Sequence, residues 1–414
     1  MFFEWGRNSI INNMKMHKLF YVFLMVLYII FLYKLIDNSK SLENFLIIFF
    51  VFSCCCVLFI KRIYLNIYLI FMLLSCFLFI AMNEYFFQDR YFFTDVEIGN
   101  FFKNFMAIML LLFVPTMIIY TKFREHSLIF LFVMINIFSV YTHLYWNINL
   151  DFDRNLLNER FGPIIIYDYT VIALSLISIP LFLNIKNKWS YVLIALCLIN
   201  IFLVICHGSR GSWIALPFIF LFLFIMFYKE KYKILFMVCL SSLLLAVIFT
   251  LPNSPMIKRL NHAQNEIEQI SNHDAQLNST SSRIEMWKIA LDSGMEAPFF
   301  GIGQQKLNYK IYENIKIKQP HAHNIFVNEF GAHGVMGLLA LLIFIFMPLF
   351  YFLRNLKYNR IVCCSGVILA VYSIFCGLTD YIFITLYGTA FYFLMVSTFI
   401  TLVEVRKIKD SLIK

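Results

Sequence analysis

Charge is what this chain has least of. Only 14% of its 414 residues are Asp, Glu, Lys or Arg, while 61% are hydrophobic. A water-soluble globular protein with that balance would aggregate. The charges come in short clusters between apolar runs of about 17–22 residues, the length that crosses a bilayer as a helix. A cleavable signal pattern is also missing. The first apolar run begins near Leu19 behind a polar amino terminus and has no small-residue cleavage site, so it reads as a retained anchor. The ten cysteines have no metal-ligand or disulfide spacing; Cys54-Cys55-Cys56 and Cys363-Cys364 lie in apolar runs and act as small hydrophobes. No internal repeat stands out. The spans themselves are nearly free of charge, Asp168 being the main acid near one, toward an outer end. An ion-coupled carrier places ionisable groups at mid-membrane, so their scarcity argues against transport through the centre.

What is present is an all-α polytopic membrane protein. About twelve transmembrane helices are expected, at 19–36, 43–60, 63–82, 105–120, 128–146, 163–184, 190–206, 212–228, 234–251, 335–353, 361–378 and 381–402. Lys and Arg set the orientation. With the amino terminus in the cytoplasm, the inner segments hold Lys61-Arg62, Lys186 and Lys188, Lys229-Lys231-Lys233, Arg354 to Arg360 and Arg406 to Lys414. The short outer loops are then acidic (Glu84, Asp89, Asp95, Glu97; Asp151, Asp153, Glu159), so both termini fall inside. The chain divides into residues 1–251 with the first nine spans, an outer helical loop domain at 252–334, and 335–414 with the last three spans and a cytoplasmic tail. Within the loop, Ile257–Ile270 has helical apolar spacing, and a capping box at Ser282-Arg283-Ile284-Glu285 opens a helix ending near Gly294. A turn-rich stretch from Glu296 to Gly303 follows, then a basic-aromatic stretch from Tyr309 to Lys318 suited to a solvated face or acidic headgroups.

The densest polar cluster is Gln319 to Gly337, with His321, His323, Asn324, Glu329 and His333. Pro320 suits a helix start, and Gly331, Gly334 and Gly337 permit close backbone approach. Histidine as a residue type exchanges protons near neutral pH, so a base here is one reading and a solvated or capping histidine the other. Glu329 or Asn324 could orient the ring. His321 and His323, at i and i+2, cannot share one helix face, and no cysteine or paired carboxylate accompanies them, so no metal is expected. Arg210 lies between Gly208 and Gly211 on the outer side, where a guanidinium and exposed N–H groups make a diphosphate cradle; an interfacial snorkelling arginine is the alternative. Arg283 opens its helix where a phosphate would meet both the side chain and the helix terminus. Nucleic acid is not an expected partner.

Three motifs occur in order: Ser209-Arg210-Gly211-Ser212-Trp213, Ser282-Arg283 with Trp287 four residues on, and Pro298-Phe-Phe-Gly-Ile-Gly303. They resemble the region shared by bacterial O-antigen ligases and O-antigen polymerases. His323-Asn324, then nine residues, then Gly334-Val-Met-Gly337 is similar to the histidine motif of the ligases, as is Gly377-Leu-Thr-Asp380. The resemblance covers about residues 201–402 and is topological before that. It implies a GT-C-type, metal-independent, inverting glycosyltransferase in the inner membrane of a Gram-negative bacterium, acting on the periplasmic side without a cofactor. Undecaprenyl diphosphate carries the glycan donor, and the lipid A–core is the acceptor, within inner-membrane lipid. The resemblance implies that Arg210 and Arg283 stabilise the departing diphosphate and His323 deprotonates the acceptor hydroxyl, with His321, Asn324, Trp287 and Ser209 binding substrate. An O-antigen polymerase is the alternative, and a lipid-linked glycan flippase is less favoured because it needs a polar path through the spans.

Overall fold

The computed structural model describes residues 14–37, 66–72, 74–75, 113–150, 154–161, 164–250, 279–383 and 386–413. Among them every regular element is helical. In order these are α1 (Met14–Asp37), α2 (Phe113–Thr121), α3 (Glu125–Asn149), α4 (Arg154–Phe161), α5 (Ile164–Leu183), α6 (Trp189–Ile205), α7 (Arg210–Trp213), α8 (Leu216–Met226), α9 (Lys231–Thr250), α10 (Ser279–Glu296), α11 (Gln304–Ile315), α12 (Ile325–Asn355), α13 (Arg360–Gly377) and α14 (Leu386–Ile413).

Five of these helices are long and apolar enough to cross a membrane: Glu125–Asn149, Ile164–Leu183, Ile325–Asn355, Arg360–Gly377 and Gly388–Leu412. A sixth follows if α8 and α9 count as one broken span. Phe20–Lys34 and Trp189–Ile205 are apolar but shorter. Of the expected twelve spans, 43–60 lies outside the described residues, as do most of 63–82 and half of 105–120. The expected separate spans 212–228 and 234–251 are instead two helices meeting at an elbow, bent by 94°. Phe227 leaves the helix at φ −117°, ψ 28°, and a 3₁₀ turn follows at Tyr228–Glu230. Lys233 then donates to the carbonyls of Leu183 and Ile185 at 2.7 and 2.8 Å, capping the end of α5.

The bundle is built around α5, which is apolar all round and buried on all sides, as a helix with no polar face must be. Its hydroxyls join a buried network in which every link crosses helices. Asn136 of α3 donates to Ser178, Ser175 donates to Asn136, Asn200 of α6 donates to Ser175, and Ser139 donates to Asn200. In an apolar surrounding such groups need partners, and here they tie α3, α5 and α6 into one register.

Helix α12 is 31 residues long, about 46 Å, so some 16 Å remains after a hydrocarbon core of about 30 Å is crossed. The expected span at 335–353 is thus its far part only. Its near part is separated by a break at Gly334, whose φ of 65° no ordinary side chain favours. The break frees backbone groups, and the Pro298–Gly303 loop takes them up. Ile302 and Gly303 donate to the carbonyls of Gly331 and Ala332, while Val335 and Met336 donate to those of Pro298 and Phe299. A Cβ on Gly334 would lie 2.6 Å from the Pro298 carbonyl oxygen. The glycines of this region therefore seat one loop in the gap of one helix. Pro320 opens no helix; Asn324 caps α12, accepting from the amides of Phe326 and Val327. Likewise α10 begins at Ser279, so the capping box lies inside it, and the basic stretch after Tyr309 is largely helix α11. The expected helix at Ile257–Ile270 lies outside the described residues.

Candidate functional site at one end of the bundle

Four segments meet where α6 and α13 end and α12 begins. The first is the loop from Gln319 to Asn324. Its middle residue, Ala322, is held on both sides: its N–H donates to Asn328 Oδ1 at 3.0 Å and its carbonyl accepts from Trp287 Nε1 at 2.9 Å. Asn328 is fixed by a reciprocal amide pair with Gln304. Trp287 and Gln304 thus aim the loop from α10 and α11. The close packing of α10 on α12, where a Cβ on Gly331 would lie 2.6 Å from the Ala290 carbonyl oxygen, sets the distance.

The flanking histidines face one carboxylate. His323 Nδ1 lies 3.3 Å from Asp380 Oδ2, and His321 Nε2 lies 3.6 Å from Asp380 Oδ1. His323 Nε2 lies 3.1 Å from the side-chain oxygen of Gln319. His323 has φ +51°, a left-handed conformation that costs a branched-free side chain about 1 kcal/mol or more. Its amide donates to His321 Nδ1 at 3.2 Å, which requires that nitrogen to be unprotonated. Burial holds His321 down to about 4, with Asp380 opposing and the charges of His323 and Arg283 assisting, so its ring is neutral. Arg283, half-buried on α10, is near enough to act on that ring.

Asp380 is positioned by its own neighbours. Its Oδ1 accepts from the Tyr381 amide at 2.7 Å, and the Tyr381 hydroxyl donates to Glu329, whose other oxygen meets His333 Nδ1 at 2.8 Å. Burial alone would raise its carboxyl, but the hydrogen bond from His323 and the histidine charges outweigh it and hold Asp380 below the ordinary carboxylate range.

The fourth segment is the turn from Gly208 to Trp213. A Cβ on Gly211 would lie 2.1 Å from Thr379 Oγ1, so this turn lies directly against the residue before Asp380. Tyr372 donates to the Ser212 carbonyl at 2.8 Å. Ser209 is buried, and its hydroxyl has no partner among the described residues. The backbone of Arg210 opens α7; its side chain lies outside the described residues.

Two sequence expectations are corrected. Neither Glu329 nor Asn324 orients His323: the first bonds His333 and Tyr381, the second caps α12, and Asp380 has the orienting place. The argument against a metal assumed a helix, whereas His321 and His323 lie on an irregular loop with ring centroids 4.5 Å apart. With Asp380 they bring ligand atoms within 4.8 Å of one another, a set that could hold a metal ion. Sequence reasoning also missed His207. It stands one residue before the arginine turn and pairs with Asp168 at 2.7 Å, both fully buried. A histidine closing an apolar run was the available signal.

An all-helical polytopic membrane protein with a cluster of histidines and carboxylates at one end of the described bundle is the class these features define. Residues 193–342 match the family model described as O-antigen ligase, a family that covers the ligases and related polymerases, so this part of the chain is similar to that family. The matched segment includes the arginine turn, α10 and the histidine loop. An uncharacterized protein of Haemophilus influenzae is 30% identical over 208 residues, 47% of this chain and 52% of that protein, so the chain spans about half the length of the curated relative it matches.

Proposed function

We propose that the protein is an O-antigen ligase, transferring a glycan from undecaprenyl diphosphate to the lipid A–core oligosaccharide on the periplasmic side of the inner membrane. One observation carries the reading: His323 is held between Asp380 and an amide, beside a second histidine on which the Arg283 charge acts. In the free-base state the Gln319 side chain turns its amide nitrogen, not its oxygen, to Nε2, the place an acceptor hydroxyl would take. His323 Nε2 removes the proton of that hydroxyl while Asp380 stabilises the imidazolium through Nδ1. The acceptor oxygen forms its bond to the anomeric carbon from the face opposite the diphosphate, the bond to the diphosphate oxygen breaks, and the configuration inverts. Arg283, together with Arg210, balances the charge on the departing diphosphate, while the amides of Gly208 and Ser212 are taken up within the turn. Ser209 lines that donor side, and His321, Asn324 and Trp287 shape the acceptor loop.

The reaction needs no metal in this reading. Asp380 already meets both histidine rings and the Tyr381 amide, which hold its oxygens without a further cation. Residues 1–251 then anchor the chain and bring Arg210, the 252–334 segment brings Arg283 and His323, and residues 335–414 bring Asp380, with both termini in the cytoplasm.

The lipopolysaccharide of a strain lacking the gene tests the assignment. Loss of a ligase leaves long polymer on the lipid carrier and bare core. Core capped by single repeats would make the protein a polymerase instead. With purified protein in liposomes, His323→Ala and Arg283→Ala are expected to lose transfer by about a hundredfold or more. Full transfer by both would end the enzyme reading and return a carrier to consideration.

A further inference from the structure

Behind the arginine turn lies a second group of ionisable side chains that the chemistry above does not use. His207 Nδ1 lies 2.7 Å from Asp168 Oδ1, and its Nε2 lies 3.0 Å from Asn147 Oδ1. The Asn147 amide nitrogen donates to the Leu203 carbonyl at 3.2 Å, which turns its oxygen toward the ring. Both ring nitrogens therefore face acceptors, and only an imidazolium donates from both. Asp168 supplies the matching negative charge. The ring is walled off by Phe161 and Tyr167, with centroids at 6.3 and 6.4 Å, and by His143 at 5.6 Å.

A buried ion pair is a poor way to hold three apolar helices together, since apolar side chains of similar volume do so equally well. The pair is also incompletely used as structure: Asp168 Oδ2 is buried with no partner among the described residues. Its location supplies a different reason. Asn147, Asp168 and His207 come from α3, α5 and the end of α6, and His207 is followed at once by Gly208, Ser209 and Arg210. The amides of His207 and Gly208 donate back to Val204 and Ile205, so the chain leaves α6 from wherever His207 is held. Gly208 then turns at φ +73°. The far side of the turn is fixed by Tyr372 and Thr379.

We propose that Asp168 and His207 are positioning residues for the donor diphosphate: their buried pair, locked by Asn147, sets the height and direction of the Gly208–Trp213 turn. The inference rests on assigning that turn to the donor side. A misplacement of about 1 Å at such a turn costs rate or affinity without touching substrate.

The test uses the full-length protein in liposomes, with lipid-diphosphate-linked glycan varied at saturating acceptor and then the reverse. Asp168→Asn and His207→Gln are each expected to raise the donor KM about tenfold or more, with the acceptor KM unchanged. The Asp168→Asn/His207→Gln double variant replaces the charge pair with an amide–amide hydrogen bond and should recover at least about threefold of that loss. Unchanged donor KM in inserted protein overturns the inference. So does a parallel fall of donor and acceptor terms with the amount of folded protein, or a double variant no better than the worse single. If a single variant fails to insert, Asn147→Ala carries the same expectation, and an unchanged donor KM there overturns the inference equally. Arg210→Ala separates the two ideas. If it keeps the parent donor KM, the donor assignment of the turn fails; if it loses donor affinity while the others do not, only the positioning inference fails.

Discussion

Asp380 lies 57 residues beyond His323 in the chain, yet its Oδ2 is 3.3 Å from the His323 Nδ1. That contact fixes which ring nitrogen is left to face a substrate. Asp380→Asn keeps the size of the group, and its oxygen still accepts from Tyr381. The new amide nitrogen, however, would face Nδ1 donor to donor, so the ring must carry its proton on Nε2, where the base is needed. Transfer is expected to fall about 10²–10⁴-fold with insertion and thermal midpoint little changed. A rate within a few-fold of the parent would remove Asp380 from the mechanism.

Gly334 makes a prediction about stability. Its φ of +65° and the 2.6 Å approach to the Pro298 carbonyl leave no room for a methyl group. Gly334→Ala should undock the 298–303 loop and cost about 1–3 kcal/mol, seen as a lower unfolding midpoint in detergent and faster proteolysis near Phe299–Phe300, which are already exposed. Gly211→Ala should act differently. The clash there is with Thr379, so it displaces the residue before Asp380, and lost transfer at near-parent stability is expected.

These elements differ in how readable they were. Apolar length alone marks α3, α5, α13 and α14, because a span must bury its backbone polar groups in helix. The histidine motif marks His323, but its partner does not follow from spacing. Asp380 reaches the ring only through the packing of α13 on α12, and Glu329, nearer in sequence, is turned away by Tyr381 and His333. The elbow at Phe227 is illegible for a related reason: two apolar runs around a basic turn read as two separate spans until Lys233 is seen capping another helix. Asp168 looked like an interfacial acid because its partner, His207, comes from a different helix.

The cluster of His321, His323 and Asp380 sharpens the question of metal. If the reaction runs through a free base, stripping the protein with chelator should leave the transfer rate intact. The same geometry predicts inhibition by added zinc, since three ligand atoms within 4.8 Å can seat it and occupy the nitrogen that takes the proton. Rate lost on chelation and restored by one metal would replace the free-base step.

Acid should weaken the fold through His321. Its ring titrates at about 4 in the folded protein, below its ordinary value of 6.5, because burial penalises the charged form. The unfolded chain therefore takes up a proton as pH falls through 6.5, while the fold refuses one until about 4. The stability that the neutral ring contributes is fully present above 6.5 and lost as pH falls to 4, by at most about 3 kcal/mol. Asp380 is held below the ordinary carboxylate range and stays ionised across that window, so it adds no opposing slope there. Unfolding midpoints measured between pH 7.5 and 4.5 should fall less steeply in His321→Gln than in the parent, because glutamine still accepts from the His323 amide but takes no proton in either state. Equal slopes for the two proteins would mean that the His321 ring is protonated in the fold, and that the neutral acceptor required by the His323 amide is not the species present.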